Sequence, residues 1–130
     1  MSLKRLFPCL LALALLLALG ATAQAGEAHI HFLVAPPSPA EGMSNLQALE
    51  GFRQELVDLA GGYTEWGPTQ GASRDGSNLM RQTNFSYIVA AGSDLTPDLV
   101  KLIKKYFVVP QPFVLHWVGT SSIPMFKLAP

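Results

Sequence analysis

Between His29 and Ala35 the residues alternate, with Ile30, Phe32 and Val34 on one side of the chain and His29, His31 and Leu33 on the other. A period of two predicts a strand, and Pro36-Pro37, which cannot continue a hydrogen-bonded ladder, ends it. Ser38 to Gly42 reads as a loop. The spacing then changes: Leu46, Leu49, Phe52, Leu56 and Leu59 recur every three or four residues. That period predicts a helix opened by a Ser44/Gln47 capping box and closed at Gly61-Gly62. Tyr63 to Trp66 has strand composition, but Gly67-Pro68 and Gly71 interrupt it, so a short or bulged strand running into a loop is expected. Asp75-Gly76 supplies the positive φ of a tight hairpin. Asn78–Ala91 follows as the longest strand, with Phe85, Tyr87 and Val89 on one face and Ser86, Ile88 and Ala90 opposite. Thr96 reads as the cap of a second helix, with Pro97 at its first position and Asp98 favouring the dipole. Leu99, Leu102, Ile103 and Tyr106 form its apolar stripe, and Lys101, Lys104 and Lys105 face solvent. Phe113 to Val118 alternates again and predicts the last strand; Ser121–Pro130 has no period and reads as a tail.

The order β-α-β-β-α-β is the split βαβ, ferredoxin-like arrangement of the α+β class. Right-handed crossovers place both helices on one face of a four-stranded antiparallel sheet, with the first and last strands side by side. By bulk, Ile30, Phe32 and Val34 in the first strand and Phe113, Leu115 and Trp117 in the last should face the helices. The other sheet face is left open, a surface that small proteins cover by dimerising or by binding a partner.

The ends of the chain change the composition. Lys4 and Arg5, the Leu/Ala run Leu10–Leu19 and the small residues up to Ala25 have the layout of a secretory leader cut before Gly26. The expected organisation is therefore a signal peptide over 1–25, one domain over 26–120 and a tail over 121–130. Loss of the leader removes Lys4 and Arg5, leaving seven basic against nine acidic residues and a net charge of −2. That excludes a nucleic-acid binder relying on a basic surface. It also takes Cys9, the single cysteine, so the exported part has neither a disulfide nor a thiolate ligand. No membrane association is expected after cleavage, and export leads to the periplasm or beyond.

Among chemistry-bearing residues, the histidines form the one constellation. His29 and His31, two apart on a strand, share a face. If Ile30 and Trp117 point inward, then His29, His31 and His116 all reach the open face of adjacent strands. Three imidazoles with a fourth position free suit zinc or copper; otherwise they are surface histidines or line a dimer seam. No nucleophile elbow, phosphate loop or dinucleotide fingerprint is present. Asp75 is accounted for by its turn and Glu65 by a strand edge. Trp66 in the Gly/Pro-rich stretch is an exposed contact or a core plug. Arg81 could reach an anion or pair across strands with Glu65. An apolar open face of Leu33, Val114, Val118 and Ile88 would favour association.

The run Gly61-Gly62-Tyr63-Thr64, the stretch with Trp66 and Gly71, the Asp75-Gly76 turn and Arg81-Gln82 before an apolar strand resemble a family of small exported bacterial proteins of unknown function. The resemblance implies export and the same α+β layout, and assigns no catalytic residues. Two functional expectations follow. The first is a non-catalytic binding or assembly module, needing no cofactor, whose partner is itself or another exported protein, with Trp66, Arg81, Leu33 and Val114 on the partner face. The second is a metal-binding protein or metal enzyme, with zinc or copper on His29, His31 and His116.

Overall fold

The computed structural model describes residues 26–123 and Met125. The leader expected over 1–25, and residue 124 and residues 126–130 of the tail, lie outside the described residues. The elements run β1 (Gly26–Ala35), α1 (Asn45–Ala60), β2 (Thr64–Asp75), β3 (Asn78–Ala91), α2 (Thr96–Tyr106) and β4 (Val114–Ser121). The sheet order is β2-β3-β1-β4 with antiparallel pairing throughout. This is the ferredoxin-like layout, and β1 and β4 are neighbours as the element order requires.

The helix ends follow their local chemistry. Ser44 and Gln47 form the reciprocal capping box, and Gly61 closes α1 in the left-handed region at φ 79°. Ala48, Phe52 and Leu56 of α1 and Leu99, Leu102, Ile103 and Tyr106 of α2 are buried against Leu33, Ala35, Tyr87 and Val89 of the central strands. Leu46 is the exception to the predicted stripe: at 66% exposure it stands outside the core, because it lies in the first turn of α1, and Ala48 takes the inward place. β2 is longer than expected. Its ladder with β3 is restored after a register shift between Trp66 and Thr69, so Gly67-Pro68 forms a bulge and does not end the strand. At the turn, Gly76 has φ 59°, the positive value anticipated from Asp75-Gly76.

The facing of the two neighbouring strands is the reverse of that expected from bulk. Leu33 and Ala35 lie in the helix-covered core, and Tyr87 and Val89, the β3 partners of Leu33 and His31, lie there with them. Ile30, Phe32 and Val34 therefore line the open face, where Phe32 contacts Trp66 and Phe113 at ring-centroid distances of 6.4 and 6.3 Å. In β4 the register pairs His116 with His31, and Trp117 with Ile30. Leu115 and Trp117 thus stand on the open face, 49% and 46% exposed, as does Phe113 just before the strand. The physical reason is position. β4 is an edge strand beside β1, the core cluster reaches it only at Val114, and the bulky set has no room beneath the helices.

Candidate metal centre

His29 and His31 point toward the helical layer, since they share parity with Leu33 and Ala35 along β1. His116 follows them, being the direct partner of His31 on β4. Both strands are inverted relative to expectation, so the three imidazoles still converge, but at the helical side of the sheet and not on its open face. The His31 and His116 ring centroids are 4.7 Å apart, and those of His29 and His116 5.1 Å.

His31 is fully buried, at 0% exposure, where the β3–α2 connection crosses the start of β1. Its Nε2 lies 3.1 Å from Leu95 N and 3.1 Å from Asp94 Oδ1. The Leu95 N–H donates, so Nε2 offers its lone pair and the ring is neutral with its proton on Nδ1, a buried atom with no partner among the described residues. Burial lowers the His31 pKa, the Asp94 carboxylate opposes that shift in part, and the neighbouring His116 adds to it. A neutral imidazole lone pair facing a carboxylate oxygen at 3.1 Å is an arrangement that a cation between them would stabilise.

Asp94 is the member that the sequence pattern did not bring forward. Its Oδ1 accepts hydrogen bonds from Thr96 N at 2.8 Å and Thr96 Oγ1 at 2.6 Å, so Thr96 is not the cap: the N-cap position falls on Leu95, which has no side-chain cap bond, and Asp94 just before it holds the first N–H of α2 in a side-chain turn. These two bonds, the hydroxyl first, hold the carboxyl well below the usual carboxylate range. Asp94 Oδ2 lies 3.7 Å from His116 Nδ1. One donor atom each from His31, Asp94 and His116 falls within a sphere of mutual distances no greater than 4.8 Å. Two donors about 2.1 Å from one ion at a tetrahedral angle stand about 3.4 Å apart; His31 Nε2 stands 3.1 Å from Oδ1 and His116 Nδ1 3.7 Å from Oδ2, so each imidazole faces its own oxygen of the Asp94 carboxylate near that separation. His29 is not part of this set: its Nδ1 faces His116 Nε2 at 3.0 Å, on the far side of that ring. An aspartate two residues before a helix, as in Asp94-Leu95-Thr96-Pro97, is a recognisable side-chain turn signal. In a split βαβ layout the end of β3 lies beside the start of β1, which would have brought Asp94 to His31.

The other candidate residues are scattered. Leu33 is buried in the core and Val114 packs against it, so neither lies on a partner face; both share parity with the inward-turned histidines. Trp66 is 53% exposed on the open face against Phe32, a surface contact and not a core plug. Arg81 lies opposite Ala72 on the outer part of the β2–β3 hairpin. Glu65 does not pair with it. Partial burial pulls the Glu65 pKa upward, but two hydrogen bonds from Arg53 of α1, at 2.7 and 2.9 Å, outweigh that pull and leave it lowered.

No family model and no curated protein sequence matches the chain. Solved structures do. CutA1 from Oryza sativa is 10% identical and aligns over 73% of this chain and 82% of its own, with a TM-score of 0.57. The divalent cation tolerance protein CutA1 from Thermus thermophilus is 13% identical over 69% of this chain and 82% of its own, at 0.52. The divalent ion tolerance protein CutA1 from Ehrlichia chaffeensis is 9% identical over 72% and 81%, also at 0.52. At these identities the likeness establishes the ferredoxin-like fold.

Proposed function

We propose that the protein is a non-catalytic binding module for a divalent transition-metal ion, held by His31 Nε2, His116 Nδ1 and a carboxylate oxygen of Asp94. The observation that carries this reading is the Asp94 carboxylate set between two imidazole nitrogens at 3.1 and 3.7 Å. Two imidazoles and one carboxylate favour zinc, copper or nickel over magnesium or calcium, which prefer all-oxygen shells. An ion would take over the His31 lone pair from the Leu95 N–H. Losing that bond costs about 1 kcal/mol, little beside the roughly 10–16 kcal/mol of structural zinc sites. Binding, not turnover, is proposed because the described polar side chains at the centre are already engaged: Asp94 accepts from Thr96 at the start of α2, and His29 abuts His116. The fold likeness to proteins named for divalent cation tolerance supports the reading. The leader pattern of residues 1–25 supports export, placing the module outside the cytoplasm.

The test is titration of chelator-treated protein with cobalt(II), followed by its visible absorption, and with zinc by competition. One ion should bind per chain, with no comparable uptake of magnesium. Asp94→Ala and His116→Ala should each weaken binding by at least about tenfold. Undiminished affinity in both variants, or no uptake by the wild-type chain, refutes the proposal.

A second reading concerns assembly. Ile30, Phe32, Trp66, Ile88, Leu115 and Trp117 form an apolar surface across all four strands, and no described element covers it. This surface favours self-association, with a second copy as the occupant.

A further inference from the structure

Resting on the metal-binding reading, we propose that Glu27 and His29 form an outer arm that sets which nitrogen of His116 carries the ligating lone pair. Glu27, His29 and His31 are successive odd positions of β1 and share its helical-side face. Glu27 Oε1 lies 3.3 Å from His29 Nε2. The contact is an ion-pair approach and not a hydrogen bond, and a negative oxygen at that distance favours a proton on His29 Nε2 over a lone pair there. A neutral imidazole has one N–H, so His29 Nδ1 is an acceptor. It faces His116 Nε2 at 3.0 Å, which makes that nitrogen the donor. The ring planes are 3° apart with centroids at 5.1 Å. An in-plane N–H···N bond of this length gives about 5.3 Å between centroids, so the rings meet edge to edge. His116 Nδ1 is left with its lone pair, turned to Asp94 Oδ2 at 3.7 Å, beyond hydrogen-bond length. The opposite proton placement sets the His29 Nε2 lone pair against the Glu27 carboxylate and gives the His116 proton no bond to Asp94. Each proton thus points outward along His116, His29 and Glu27, and the lone pair points inward. His29 is a positioning residue, analogous to the outer carboxylates and carbonyls that orient metal-bound histidines and raise their basicity.

Long-range proton–nitrogen NMR of the metal-free protein, at a pH where the imidazoles are neutral, reads these tautomers directly. The same samples then take a zinc titration. Wild-type protein should show the Nε2–H form at both His116 and His29. His29→Ala should lose the bias at His116 and weaken zinc about 10–100-fold. His29→Asn, whose side-chain oxygen stands near the lost Nδ1, should restore most of both. A mixed or Nδ1–H His116 in the wild-type protein overturns the arm, and so does zinc uptake unchanged in His29→Ala. A wild-type protein with the stated tautomers that takes up no zinc overturns the metal reading and leaves the arm standing.

Discussion

Gly51 shows how a tertiary contact at one position can reverse what local propensity favours. It sits inside α1, where alanine is better than glycine by about 1 kcal/mol. A Cβ built there stands 2.5 Å from Cε1 of Tyr106 on α2. That ring has little room to retreat: its hydroxyl donates to Glu55 Oε1 at 2.6 Å and its edge packs on Phe52 with centroids 6.4 Å apart. Gly51→Ala should therefore lower stability, by about 1–3 kcal/mol as for other overpacked contacts. Urea denaturation measures it, and the loss should disappear in a Tyr106→Ala background. A Gly51→Ala protein more stable than wild type would contradict the close packing of the two helices. Nothing in the chain around Gly51 announces this role, because the contact comes from a residue 55 positions later. His31 is hidden for a similar reason. Hydropathy puts a histidine outside, and the Leu95 N–H, supplied from another part of the chain, offsets the cost of its burial.

Whole elements were more legible than their facing. The capping box of α1, the stripe of α2, the Asp75-Gly76 turn and strands β1, β3 and β4 follow from period and end signals in the sequence, whereas β2 continues past Gly67-Pro68 where a loop is expected. Alternation in β1 and β4 separates the residues into two sets without saying which set is buried when both contain large apolar members. Bulk favoured Phe113, Leu115 and Trp117 for the inside, yet at an edge strand the smaller Val114 is what fits beneath the helices. The start of α2 is the other local misreading, and it has an energetic consequence. Asp94→Ala removes the acceptor of both Thr96 bonds and should cost about 1 kcal/mol, whereas Thr96→Val keeps the backbone bond and should cost less. Thermal midpoints in chelator separate this effect from any metal contribution. The sign with pH is fixed: a carboxyl held below its unfolded value stabilises the fold above that value, and the benefit is lost as pH falls through the folded one. The Asp94→Ala protein should therefore lack part of the wild-type loss of stability in acid. If Thr96→Val proved as damaging as Asp94→Ala, the backbone bond from Thr96 to Asp94 would not be what holds the start of α2.

At the scale of the molecule, the two sheet faces carry separate tasks. The inversion of β1 and β4 moves the imidazoles to the helical side and leaves Ile30, Phe32, Leu115 and Trp117 on the open one. The open face was foreseen from topology, but its membership was not: Leu33 and Val114 belong to the core. Because side chains on opposite faces of a strand do not meet, assembly and metal binding should be separable by substitution. Leu115→Glu with Trp117→Glu places two charges on the apolar surface, and in a face-to-face pair those charges would be desolvated without partners, at a cost large enough to dissociate it. The alternate positions His116 and Val118 on the same strand are untouched. Sedimentation at rising concentration should show the wild-type chain associating and the double variant remaining a single chain, while both take up one metal ion with the same affinity. Association that survives the two glutamates would move the interface elsewhere, to the exposed outer hairpin with Leu79 and Met80. A loss of metal binding in the double variant would mean that the two faces are coupled through β4, and that the ion and the assembly stabilise one another.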